Sequence, residues 1–187
     1  GYTAPVASWD DLTRTSGAFK RTITAGGKDV RVEVRVYYGK PGTKTDPDTD
    51  AGGKQLRKDM IKSLETTEVV IYSGHSGPFW GFSLGNWKKT DEGELEDNTI
   101  AVMDLPDYYQ VILAEGCETY SMAQAFFDNP AKQSRTNLDL ITTSTYSTAY
   151  DAWPVKDFLL AVVGTNPSCR ARSDDRIPGA RSISNRA

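Results

Sequence analysis

Two short stretches carry the side chains that can do covalent chemistry. "VVIYSGHSGPFWG" (69–81) ends an apolar run in Gly74-His75-Ser76-Gly77, and "VILAEGCETYSM" (111–122) ends one in Gly116-Cys117. Imidazole moves protons near neutral pH, and a thiol beside it is a nucleophile, so a Cys117–His75 dyad is the first chemistry these residues suggest. A serine nucleophile at Ser76 is the rival. It fails on spacing, because the Gly-x-Ser-x-Gly elbow needs glycine where Pro78 stands and a histidine downstream. His75 is the chain's single histidine, and with two distant cysteines it offers no zinc-ligand spacing. No metal and no cofactor is expected.

The elements around these stretches predict how the two side chains meet. Both apolar runs are rich in β-branched residues and read as strands of a parallel sheet covered on both faces. Open parallel sheets place their sites at the strand C-termini, which is where His75 and Cys117 fall. The helical stretch "TYSMAQAFFDN" after Cys117 would add a helix terminus that favours thiolate. Further strands are expected in "AFKRTIT" and "VRVEVRVYY", a hairpin about "AGGKD" whose second run has one wet face, and in "LDLITTSTYS". Helices are expected in "KQLRKDMIKSLETT", with Leu56, Met60, Ile61 and Leu64 on one face, and in "PVKDFLLAVVG" between Pro154 and Gly164. Alternating strands and helices predict an α/β sandwich with a mainly parallel central sheet flanked by helices.

Length and composition set the frame. At 187 residues the chain reads as one domain over 1–187, with 166–187 a polar C-terminal tail or a segment held by a further chain. With 38% hydrophobic and 25% charged residues it has globular composition. A net charge of -3 directs it neither to nucleic acid nor to a membrane surface, and its apolar runs are too short to span a bilayer. Cys117 and Cys169 allow one disulfide or two thiols, and a start at Gly1 fits either leader removal, which would favour an extracytoplasmic setting, or a trimmed sequence, so the compartment stays open.

In these two motifs the sequence resembles the caspase-like cysteine peptidases, the group of caspases, legumains, gingipains and clostripain. "IYSGHSG" is similar to their strand ending in His-Gly, with Ser76 intervening before Gly77. "VILAEGCETYSM" is similar to the legumain cysteine motif Glu-Ala-Cys-Glu-Ser, with Gly116 in place of the alanine. The resemblance implies a caspase-like three-layer sandwich and a cysteine endopeptidase acting on a peptide or protein substrate. Cys117 would be the nucleophile, His75 the general acid and base, and the backbone N–H groups of Ser76 and Cys117 the oxyanion donors. The Ser76 hydroxyl would have no task, so Ser76→Ala is expected to be tolerated. The residue two before the cysteine lines the substrate pocket in this group, here Glu115. The loop in which caspases carry a pocket arginine holds Asp46, Asp48 and Asp50. An acidic pocket with Trp153 on its wall implies cleavage after arginine or lysine. The same carboxylates also suit solvated strand-end and helix-entry positions. "DPDTD" is no calcium loop, since Ala51 and Arg57 stand where glycine and the closing glutamate belong. A silent caspase-like interaction domain and a peptide ligase on the same dyad are the alternative functions.

Overall fold

The computed structural model describes residues 1–148 and 153–163. It is mixed α/β, with a three-stranded parallel sheet flanked by helices. After a 3-10 turn at Trp9–Asp11, β1 (Phe19–Ala25) and β2 (Lys28–Val34) form an antiparallel hairpin with Ala25 paired to Lys28. The two turn residues, Gly26 and Gly27, both take positive φ, as the tight turn between right-twisted strands requires. Asp29, Arg31 and Glu33 form the wet face of β2, while Val32 and Val34 are half-buried on the other, and the hairpin is a sheet of its own.

Helix α1 (Asp50–Thr66) starts earlier than its apolar periodicity suggests. The Thr49 hydroxyl accepts the Gly52 N–H at 3.1 Å, and Gly52 lies against the Asp46 carbonyl, where a larger residue would not fit. The two glycines that read as loop therefore belong to the first helical turn. Leu56, Met60 and Leu64 form its buried face. Then come β3 (Val69–Ser73), β4 (His75–Gly77), β5 (Gly81–Ser83), β6 (Glu94–Leu95), α2 (Asp97–Val102), β7 (Gln110–Glu115), a 3-10 turn at Thr119–Met122, α3 (Ala123–Asp128), β8 (Leu138–Thr142) and α4 (Trp153–Val163).

The parallel sheet has the order β3-β7-β8, and β4-β5-β6 make a second, antiparallel sheet. The register aligns Val70 with Ile112 and Leu140, and Tyr72 with Ala114 and Thr142. These positions share a face, on which Val70, Tyr72, Ile112, Ala114 and Leu138 join Met60, Leu64, Ile100, Met122 and Phe126 in one core. Helices α1, α2 and α3 thus pack there, while α4 approaches β7 without contributing to that core. Only β7 is covered as the sequence predicts. β3 is an edge strand among the described residues, with Val69 and Ser73 exposed, so the expectation that both its faces are covered is corrected.

Side chains from the next element satisfy the carbonyls left at helix ends. Gln110 donates to the carbonyls of Leu64 and Thr67 at 2.8 and 2.7 Å, and Asn129 to those of Ile100 and Met103 at 2.9 and 2.8 Å. The N-terminal segment is joined to α1 by Arg14, which forks onto the buried Asp59 carboxylate with one bond of 2.7 Å and a second, shorter one. Gln55 adds a third donor at 3.2 Å. The hydrogen bond to Asp59 raises the Arg14 pKa, the charged form being the one it stabilises.

Removing the arginine leaves Asp59 buried with one amide donor. Arg14→Ala is expected to lower the unfolding free energy by about 3 kcal/mol, the scale of a buried pair broken on one side. Urea denaturation checks this, and a change within about 0.5 kcal/mol would mean that water replaces the guanidinium without cost.

Candidate active site

The site is built where β3 and β7 end together. Ser73 pairs with Glu115, and the Gly74 N–H donates to the Glu115 carbonyl at 3.1 Å, extending the ladder by one bond. The chain then leaves β7 through Gly116-Cys117 while the other crosses through Gly74 into β4. Ser76 closes the gap between them, its hydroxyl donating to the Cys117 carbonyl at 2.8 Å. A Cβ on Gly116 would fall on the Ser76 Oγ and stand 2.7 Å from the Gly74 carbonyl. The glycine in place of alanine and the serine inserted before Gly77 thus occupy one space. The Ser76 hydroxyl thus has a structural partner that the sequence did not indicate.

His75 is placed by its backbone. It opens β4, pairs with Ser83 of β5, and keeps its side chain exposed. The Tyr72 hydroxyl reaches up from the core to the carbonyls of His75 and, at 3.0 Å, Ser83. Burial pushes the Tyr72 phenol well above its ordinary range, with the Glu115 carboxylate acting in the same direction, so it stays a neutral donor. Gly74 is small for the same reason, since a Cβ there would meet the tyrosine oxygen at 2.7 Å.

Cys117 is half-buried, a free thiol whose sulfur lies 3.7 Å from the Ser147 carbonyl. No helix begins at it. Glu118 takes φ 52°, and the 3-10 turn follows before the six residues of α3. The helix-terminus advantage expected for the thiol is therefore corrected: a left-handed residue separates Cys117 from any helical N–H array. That turn is held by the segment after β8. The Glu118 N–H donates to Thr145 at 3.0 Å, the Tyr120 N–H to Thr143 at 3.1 Å, and the Thr143 hydroxyl to Gly116.

The predicted pocket carboxylates have defined partners. Glu115, 5% exposed, accepts the hydroxyls of Ser73 and Ser147. Asp46 accepts the N–H groups of Gly42 and Asp48 at 2.9 and 3.0 Å. Asp48 pairs with Lys89 and accepts Asn86 at 2.8 Å, and these hydrogen bonds hold its carboxyl below the usual range. Asp50 accepts the Thr90 hydroxyl at 2.7 Å. Asp48 and Asp50 thus tie the entry of α1 to the 86–92 loop, while Asp46 folds the loop before the helix. Trp153 opens α4, half-exposed, with the Lys156 ammonium 4.6 Å above its ring. Cys169, the 166–187 tail and residues 149–152 lie outside the described residues.

Sequence reasoning missed Ser73, Ser147 and Tyr72. Tyr72 and Ser73 had a signal, the polar end of an otherwise apolar run, but Ser147 lies far away in sequence and gave none. Among the described residues no group of three His, Cys, Asp or Glu side chains can hold a metal ion, and no helix is long and apolar enough to cross a membrane. Compared with protein-family models, curated proteins and solved structures, the chain has no match.

Overpacking the strand exits tests this construction. Gly116→Ala is expected to cost about 2 kcal/mol, within the range for inserting a methyl into a filled space, and Ser76→Ala about 1 kcal/mol for the lost hydrogen bond. Adding Ser76→Gly to Gly116→Ala should recover only part of the stability, because the Gly74 carbonyl remains in the way. A neutral Gly116→Ala in urea melts would contradict the packing.

Proposed function

We propose that this chain is a cysteine endopeptidase of the caspase-like kind, with Cys117 as nucleophile and His75 as general acid and base. The observation that carries the reading is the shared exit of β3 and β7. It sets Gly74-His75 beside Gly116-Cys117 and pins the two segments through the Ser76 hydroxyl on the Cys117 carbonyl. The three-layer fold belongs to the same proposal, supported by a parallel sheet flanked by helices with its reactive side chains at the strand C-termini.

In this reading the Cys117 sulfur attacks the substrate carbonyl as its proton passes to His75. The tetrahedral oxyanion lies between the N–H groups of Ser76 and Cys117, which sit on the two linked segments. Collapse breaks the C–N bond, the amine leaves with the proton from His75, and the acyl group stays on sulfur as a thioester. Water, deprotonated by His75, then releases the acid and restores the thiol. Substrate preference for arginine or lysine before the cut rests on Glu115, the carboxylate held at the end of β7 by the Ser73 and Ser147 hydroxyls, as the partner of a guanidinium or ammonium.

One observation favours the silent interaction domain instead. The Cys117 sulfur donates toward the Ser147 carbonyl, an arrangement that suits a resting thiol. Kinetics separate the two readings. Cys117→Ala is expected to abolish cleavage of an arginine reporter with the fold intact, and His75→Ala to lose most turnover and to slow iodoacetamide labelling of Cys117 at neutral pH. Full activity in Cys117→Ala would end the peptidase reading. Equal labelling with and without His75 would support the silent one. Glu115→Gln should lower kcat/KM for the arginine reporter by an amount equivalent to about 2 kcal/mol, the scale of a hydrogen bond to a charged group.

A further inference from the structure

The hairpin that carries His75 breaks a local rule at its tip. Gly77 pairs with Gly81, leaving a three-residue loop of Pro78, Phe79 and Trp80. Phe79 takes φ 71°, a conformation such loops normally give to glycine or asparagine. A bulky residue there is repaid only if its ring is buried, and this ring is 81% exposed. Trp80 beside it is 53% exposed. A strained, exposed aromatic at the tip of a hairpin is the pattern of a residue held ready for a ligand.

Its place relative to the dyad defines which ligand. A strand rises about 3.3 Å per residue, so the tip stands about 10 Å from His75, the reach of about three residues of extended polypeptide. Tyr120, on the 3-10 turn that packs beside β4, is a third exposed ring. Pro78, Phe79 and Trp80 offer no side-chain acid or base.

We propose that Phe79, with Trp80, is a specificity element that takes an apolar side chain of the polypeptide substrate about three residues from the scissile bond. This rests on the peptidase reading and adds a second determinant to the basic residue before the cut. Such a ring contributes to substrate choice through buried apolar area, and its removal acts on discrimination and not on the thiol.

The test uses the full chain and arginine reporters carrying leucine, phenylalanine or alanine at each position two to four residues from the cut, on either side. The wild-type chain should prefer leucine or phenylalanine over alanine at one of these positions by about tenfold in kcat/KM, the scale of one apolar contact. Phe79→Gly should erase that ratio, leave iodoacetamide labelling of Cys117 unchanged, and melt at the same temperature or higher, since glycine accepts the positive φ. Phe79→Leu should keep part of the ratio. Absence of any apolar preference in the wild type, or a preference that survives Phe79→Gly, would overturn the proposal while leaving the peptidase reading in place. If wild type cleaves no reporter, or Cys117→Ala cleaves as fast, the peptidase reading has failed and this inference fails with it.

Discussion

Everything at the candidate site depends on how closely the exits of β3 and β7 approach. The strands end at one shared pair, Ser73 and Glu115, the Gly74 N–H adds one more rung, and the Ser76 side chain then fills the volume above Gly116. Two residues without Cβ atoms are needed there for different reasons, Gly74 because the Tyr72 ring passes beneath it and Gly116 because Ser76 lies above. The histidine and the cysteine that follow these glycines inherit their positions from that packing. Neither is placed by a helix, and the one side-chain contact described for the pair is that of the Cys117 sulfur with the Ser147 carbonyl.

A shell of hydroxyl groups supports the exits. Ser73 and Ser147 donate to Glu115, Thr143 to Gly116, Thr119 to Ala114 at 2.7 Å, and Tyr72 to His75. Buried polar groups in low dielectric are costly when unpaired and rigid when paired, so such a network specifies one geometry. It also separates two roles for acidic residues. Asp46, Asp48 and Asp50 organise the entry to α1, whereas Glu115 is buried at the strand end beneath two serine hydroxyls.

Much of this was legible in the sequence because period and punctuation carry it. The runs at 69–73 and 110–115 read as strands, and Leu56, Met60 and Leu64 marked a helix face. What was hidden depends on contacts distant in sequence. The β4-β5-β6 sheet consists of strands of two or three residues, too short for periodicity to register. The start of α1 was masked by glycines whose reason, the Asp46 carbonyl, is tertiary. A helix beginning at Cys117 was expected from composition, and the left-handed Glu118 prevents it. The partnership of Gly116 and Ser76 is written in the sequence only as two separate departures from a motif.

The most direct measurement is covalent capture by a peptidyl arginine acyloxymethyl ketone, followed by mass mapping of the labelled residue. The account predicts one label on Cys117, formed faster than with the free warhead lacking the peptide, and slowed in His75→Ala. A label on Cys169, or the same slow rate with and without the peptide, would contradict the claim that these two strand exits form a peptidase site.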